Sequence, residues 1–238
     1  MNISENALKA LYSAVKTHFN QGRNTHKPIW DKVATLVNST SGQENYAWLG
    51  EFTRLKEWSD ERTVDTMAVY DYSIKNVKYE ATEGIKAEYI EDDTYGVMMP
   101  KFTDMGYAAA THPDELVFQL LAAGFTTTCY DGQYFFDTDH PVGAEGEEVS
   151  VANVLMPDDQ KDNKAPWFLL DTNRPLKPLI FQKRRDYRLQ AKTNPANSDA
   201  VFISDTFLYG VDARVSAGFG FWQQAFASKC ELTSDNFG

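Results

Sequence analysis

Residues 4–20 carry the first clear period. Leu8, Leu11, Val15 and Phe19 recur at helical spacing, Ser4 stands in a capping position and Glu5 lies in the first turn. Gly22 reads as the stop. The apolar stripe is narrow, which predicts a helix lying across another surface. Residues 23–62 mix loop and short structure, with a flexible break at Asn38-Ser39-Thr40-Ser41-Gly42. From 69 to 91 the period changes to two. Tyr72 and Ile74 alternate, then Val77, Tyr79 and Ala81, and after Glu83-Gly84 come Ile85, Ala87 and Tyr89. This predicts a pair of strands, with a bulge between Ile74 and Val77. A two-stranded ribbon with many charged positions is marginal alone and needs a partner surface.

The longest periodic signal runs over 93–124. Met98, Phe102, Met105, Ala109, Leu116 and Leu120 keep one register straight through Pro113. Two readings compete: two helices, the second opened by Pro113, or one long helix kinked there because the ring clashes with the carbonyl four residues back. The unbroken register favours the second, ending at Gly124. Residues 125–165 are rich in turns. Asp131-Gly132 between Tyr130 and Tyr134-Phe135-Phe136 is a hairpin signal. Gly143 to Glu148 and Pro157 to Lys164 read as loops around short strands at 149–151 and 153–155. Trp167–Leu170 and Leu179–Phe181 read as strands bracketed by Pro166, Pro175 and Pro178. Asn194-Pro195-Ala196-Asn197 is a turn. Val211, Ala213, Val215, Ala217, Phe219 and Phe221 then alternate with polar or small residues, predicting a long strand with one buried face. Residues 222–229 are expected to turn helical. Helix, ribbon, long helix and then mostly strands make the class α+β.

Composition narrows the function classes. The chain has 238 residues, enough for one large domain or two small ones. No apolar run approaches the roughly 20 residues that span a bilayer. The N-terminus has no signal-peptide pattern, which points to a protein made and kept inside a cell. Cys129 and Cys230 form neither a disulfide framework nor a zinc motif and read as small, partly buried apolar residues. The net charge of −11 speaks against a sequence-independent grip on nucleic acid. The one basic cluster, Lys183-Arg184-Arg185 with Arg188, reads as a solvated strand edge.

Asp137-Thr138-Asp139-His140 is the best-looking chemical site. Two carboxylates and an imidazole this close could hold a divalent metal or form an acid/base pair. A metal site draws ligands from more than one segment, however, and no second cluster stands out. Asp also caps turns, and the residue before Pro141 must be extended, so a plain loop explains the same residues. His18, His26 and His112 sit near no candidate nucleophile. There is no phosphate-binding glycine loop, no nucleophile elbow and no His-Glu-x-x-His. A different kind of signal lies at 46–62. There Trp48, Phe52 and Trp58 stand among Arg54, Lys56 and Arg62 and several carboxylates. Trp and Arg are the anchor residues of protein interfaces, so this segment suits contact with other protein better than catalysis. The profile fits a structural or assembly protein.

Several long segments carry a resemblance: WLGEFTRLKEW at 48–58, YSIKNVKYEATEGI at 72–85, EDDTYGVMMPKFTDMG at 91–106, HPDELVFQLLAAGF at 112–125, CYDGQYFFDTDHPV at 129–142, WFLLDTNRPLKPLIFQKR at 167–184 and YGVDARVSAGFGFWQQAF at 209–226. In that order they resemble the major head (capsid) subunits of Mu-like tailed phages and prophages, over nearly the whole chain. The resemblance implies the Hong Kong ninety-seven phage capsid fold. Residues 1–40 would be an N-terminal arm, and 41–90 an extended two-stranded loop with flanking strands. Residues 91–128 would hold the spine helix of the peripheral domain, 129–200 the axial-domain and connecting segments, and 201–238 peripheral-domain strands and the C-terminus. Trp48, Phe52, Arg54, Lys56, Trp58 and Arg62 would lie at a subunit contact. The implied function is self-assembly into hexamers and pentamers of an icosahedral shell around double-stranded DNA, without sequence-specific DNA binding, catalytic residues, metal or cofactor. Scaffold, portal and decoration proteins are further partners on this reading, and the place is the virion after assembly in the bacterial cytoplasm. Two alternatives stand beside it: a metal-dependent enzyme using Asp137, Asp139 and His140, and another virion component such as a decoration or tail protein. Relatives run on past the position matching Phe237, so the chain is either a short member or lacks part of the axial domain.

Overall fold

The computed structural model describes residues 3–47, 49, 71–92, 94–143, 146–194 and 198–233. The elements in chain order are α1 (Glu5–Thr25), β1 (Ala34–Asn38), β2 (Gln43–Asn45), β3 (Ser73–Lys75), β4 (Val77–Lys86), α2 (Ala87–Glu91) and α3 (Met99–Ala122), then β5 (His140–Val142), β6 (Val149–Val151), β7 (Val154–Leu155), β8 (Trp167–Leu170), β9 (Leu179–Lys192), α4 (Asp199–Ser204), β10 (Thr206–Phe219) and β11 (Ala225–Ser228). Short 3-10 turns supplement them. One sheet has the order β1-β9-β10-β4 and a second β7-β11-β8, while β2–β3 and β5–β6 form two-stranded pairs. The class is α+β, as the order of periods predicts. The chain divides into two compact units: the described residues of Met1–Ile29, Asn76–Glu115 and Lys183–Val215, and those of Trp30–Lys75, Leu116–Gln182 and Ser216–Gly238.

In the first unit, α1 begins at its expected cap, where the Ala7 N–H donates to Ser4 Oγ at 3.1 Å. It does not stop at Gly22 but runs on to Thr25. Gly22 extends the buried stripe of Leu11, Val15 and Phe19. A Cβ on Gly22 would lie 1.8 Å from the Thr103 carbonyl oxygen, and one on Gly106 would lie 1.9 Å from that of Phe19. The two glycines therefore let α1 and α3 cross with their backbones touching, the physical reason for a helix-interior glycine that otherwise destabilises by about 1 kcal/mol relative to Ala. Together α1, α3, β4 and β10 enclose a core that includes Leu11, Val15, Phe19, Phe102, Met105 and Tyr209.

The strand reading of 69–91 is corrected in two ways. The expected ribbon does not form between the two sides of Glu83-Gly84: β3 pairs with β2, and β4 pairs antiparallel with β10, with Phe207 opposite Ile85 and Val211 opposite Ala81. The break at Asn76 is where the chain leaves one partner for the other. Glu83-Gly84 is interior to β4, and the extended period stops at Lys86, with Ala87 to Glu91 helical. On β10, Phe207, Tyr209, Val211, Ala213 and Val215 are buried at period two. Beyond Val215 that pattern gives way to continuous burial from Gly218 to Trp222, so both sides of the chain are covered there.

The long-helix reading of 93–124 holds from Met99 to Ala122, with Pro113 inside the helix. Met99, Phe102, Met105 and Ala109 are buried before the proline, and Val117 and Leu121 after it. The expected Leu116 and Leu120 are only half-buried. The buried face thus steps on by one residue where the helix passes from the first unit to the second.

In the second unit, Leu179, Ile180, Phe181 and Gln182 of β9 are buried in succession. The strand continues to Lys192, well beyond the expected Phe181. Residues 183–188, which hold the basic cluster, alternate between half-buried and exposed along β9. Residues 225–228 form β11, parallel to β7 and antiparallel to β8, and only Trp222–Gln224 is helical. The helical expectation for 222–229 yields to sheet pairing, an override that local propensity cannot foresee. Phe135 stacks on Phe219 at 4.3 Å, and Phe125, Phe136 and Phe168 pack around one another. The loop at 38–42 is no loose break. Glu44 Oε1 accepts from Ser39 Oγ and Thr40 N–H, both at 2.8 Å, and from Ser41 N–H at 3.1 Å. The expected turn at 194–197 falls mostly outside the described residues.

Candidate functional site

The Asp137–His140 constellation is taken apart by the fold. Gly132, at φ +87°, lets the chain turn sharply after Asp131, with the Gly132 N–H on the Cys129 carbonyl (3.2 Å) and the Cys129 N–H on that of Gln133 (2.8 Å). That turn brings Asp131 to His140, whose Nδ1 lies 2.7 Å from Asp131 Oδ2. Asp131 Oδ1 also accepts from the Cys129 thiol and the Gln133 N–H, each at 3.1 Å. His140 is wholly buried and lies flat on Trp222, the ring centroids 3.9 Å apart and the planes 9° from parallel. Asp137 instead ties down its own turn, accepting from the Tyr134 N–H (3.1 Å) and the Thr138 N–H (2.8 Å). Asp139 is exposed, and desolvation and the neighbouring Asp137 charge hold its carboxyl above the usual range.

The group that does assemble is Cys129, Asp131 and His140, whose ligand atoms lie within 4.8 Å of one another. Its chemistry is structural. Burial pushes the Cys129 thiol up, and the Asp131 charge and hydrogen bond push it further, so it is no thiolate nucleophile. Burial alone would raise the Asp131 carboxyl, but the hydrogen bonds from His140 and Cys129 outweigh it and hold the group below its usual value. A metal taken at His140 Nδ1 would put the ring proton on Nε2, which is buried with no hydrogen-bond partner among the described residues. Histidine ligands normally donate that second N–H. The donor set therefore suits a carboxylate that collects three hydrogens better than a cation. Asn153 extends this knot: its Oδ1 accepts from the Asp137 N–H at 2.9 Å, and its Nδ2 donates to the Phe135 carbonyl at 2.8 Å. Nothing in the sequence pattern ties Cys129 and Asp131 to His140, because the turn makes the connection.

The other histidines are also structural. His26 Nε2 meets Asp114 Oδ2 at 2.7 Å, and His18 Nδ1 meets Thr103 Oγ1 at 3.3 Å. His112 hydrogen-bonds Tyr187 and packs edge-on to Tyr79, beside a crevice of 240 Å³. Burial holds the His112 ring below its usual pKa. Three residues of the basic cluster are matched within the chain, Arg185 and Arg188 with Asp212 and Lys183 with Asp186.

Trp48, Phe52, Arg54, Lys56, Trp58 and Arg62 lie outside the described residues. The structure does describe the two strands that flank them. The Tyr46 N–H donates to the Tyr72 carbonyl at 2.7 Å, beside the β2–β3 ladder that pairs Glu44 with Ile74. Tyr46 Oη donates to Gln182 Oε1 at 2.7 Å, and the same buried amide donates to the Ile74 carbonyl at 3.0 Å. Tyr72 Oη accepts from the Phe219 N–H at 2.9 Å, and burial pushes the Tyr72 phenol up to about 12. Residues 46 and 72 are thus stapled to each other and to β9 and β10.

The described residues form an α+β fold in which Asp131, His140, Tyr46 and Gln182 make internal ties. Its backbone superposes on a subunit of the procapsid of bacteriophage JBD30 with a TM-score of 0.85, at 43% identity, covering 99% of this chain and 79% of that one. The fold is that of a Hong Kong ninety-seven-type phage capsid subunit. The chain is also 42% identical to the major capsid protein of Escherichia phage Mu, over 99% of its own length and 78% of the relative's. It is equally 42% identical to the Mu-like prophage FluMu major head subunit of Haemophilus influenzae, over 99% and 77%. The family model of the Mu-like prophage major head subunit gpT matches residues 8–238, and the chain belongs to that family. It is a head subunit, a structural protein and not an enzyme.

Proposed function

We propose that copies of this chain assemble into hexamers and pentamers of an icosahedral head that encloses double-stranded DNA. The observation that carries this reading is the likeness to a procapsid subunit over 99% of the chain. Assembly takes place in the bacterial cytoplasm, with scaffold, portal and decoration proteins as partners, and the product is the virion shell. The shell holds its DNA without gripping it: the net charge is −11, and Arg185 and Arg188 are matched by Asp212.

Within the subunit, residues 1–40 serve as the arm, 41–90 as the extended loop with its flanking strands and 91–128 as the spine-helix segment. Residues 129–200 supply the axial and connecting parts, and 201–238 the remaining peripheral strands and C-terminus. Trp48, Phe52, Arg54, Lys56, Trp58 and Arg62 form the contact with a neighbouring subunit, since buried aromatic and Arg anchors dominate interface energetics. Trp58→Ala tests that contact. Its circular-dichroism spectrum and melting temperature are expected to match the parent while shell formation, scored by electron microscopy, is lost. Shells at normal yield would remove Trp58 from the contact.

A further inference from the structure

Phe202 and Ile203 are the two most exposed large apolar side chains among the described residues, at 84% and 80%. They stand side by side on α4, which is firmly seated. Ser198 Oγ accepts from the Val201 N–H at 3.5 Å, and Val201 is buried in the core of the first unit. Asp205 closes the helix in the left-handed conformation, φ 46°, the one non-glycine residue with positive φ among those described. Its N–H bonds the Val201 carbonyl at 3.1 Å, and its own carbonyl accepts from the Ala87 N–H at 2.7 Å. Strain of this kind persists only where the surroundings hold it in place. The fold thus fixes an apolar knob in solvent, flanked by Asp199 and Asp205, with no basic residue between 198 and 205.

The same unit carries an open groove of 790 Å³ whose apolar lining is Ile3, Leu8, Tyr12 and Phe207. Lys9 stands on its rim beside Glu5, and Ala191 and Thr193 line the groove further along. The Lys9–Glu5 pair is exposed on both sides, so it is weak and leaves Lys9 able to turn to another carboxylate. An acidic-flanked apolar knob and an apolar groove with Lys9 at its edge are complementary in shape class and in charge.

We propose that Phe202 and Ile203 of one copy seat in the Ile3–Leu8–Tyr12–Phe207 groove of a second copy of this chain, with Asp199 and Asp205 on the side of Lys9. The proposal rests on the self-assembly reading above. A second copy is the occupant because each chain carries both halves of the contact, and closed assemblies repeat one such contact around their symmetry axes.

The test uses the full chain with Cys230→Ser as background, Cys129 being buried. Glu5→Cys is made in one preparation and Ile203→Cys in another, and the two are mixed under mild oxidation. Disulfide-linked dimers are read on a non-reducing gel and shells by electron microscopy. Linked dimers are expected to form at least tenfold faster in the mixture than in either variant alone. Their appearance without shells would support this contact while removing the shell reading. Shells without linked dimers would overturn this contact and leave that reading standing. The double variant Phe202→Ser, Ile203→Ser gives a second readout. It is expected to melt at the parent temperature and to lose at least tenfold in assembly, and unchanged assembly with an unchanged melt would overturn the proposal.

Discussion

Asp131 organises a buried polar knot. Its carboxylate accepts from a thiol, a backbone N–H and a buried imidazole. Asp131→Ala strands all three donors, and breaking a buried pair of this kind costs about 3–5 kcal/mol. At about 2–4 °C per kcal/mol for a chain of this size, scanning calorimetry should show a large drop in melting temperature. Because the folded-state carboxyl is held below its ordinary value, its contribution is fully present above about pH 3.9 and is lost as pH falls through the folded value. Asp131→Asn should therefore flatten that part of the acid limb, and an unchanged limb would show that the carboxylate contributes nothing there. Glu44 makes a sharper case. Hydrogen bonds from Ser39, and then from the backbone of Ser41 and Thr40, hold its carboxyl at about 2. An NMR titration should find that midpoint in the parent and a higher one in Ser39→Ala, whereas equal midpoints would refute the assigned bonds. The sequence marks Asp137, Asp139 and His140 as a cluster because they are adjacent. It hides Asp131 as His140's partner because a tight turn at Gly132 makes that pair, and turns exchange neighbours without leaving a period behind.

Periodic elements are the most legible part of this chain. The faces of α1, of α3 as far as Ala109 and of β10 as far as Val215 follow from spacing alone, since 3.6- and 2-residue periods reflect how side chains leave a helix or strand. What spacing cannot show is the other partner. Gly22 looks like a terminator because glycine often ends helices, yet here it admits the backbone of α3. Gly22→Ala and Gly106→Ala each force the α1–α3 crossing apart. Overpacking of this kind typically costs about 1–3 kcal/mol, so each variant should melt several degrees lower. A melting temperature equal to the parent's in both would contradict the close crossing. The same blindness explains the ends of β4 and β11: Ala87 to Glu91 is helical and Ala225 to Ser228 extended because of what lies beside them. It also explains the basic cluster on β9, where Asp212 on the adjacent strand answers Arg185 and Arg188.

For the molecule as a whole, function was legible through long segments spread over the chain and not through any catalytic signature. A shell subunit needs a stable frame, and the described residues supply one. Buried amides and tyrosines hold the frame, with Gln182 linking Tyr46 to Ile74 at the base of the segment that carries Trp48 to Arg62. Among the described residues no helix is long and apolar enough to cross a membrane. The central claim is that this chain builds a shell, and electron microscopy of the purified, concentrated full chain tests it most directly. Closed shells, tubes or six-fold rings are the predicted result. Dispersed monomers at every concentration, with the other head proteins co-expressed as well as without them, would contradict it.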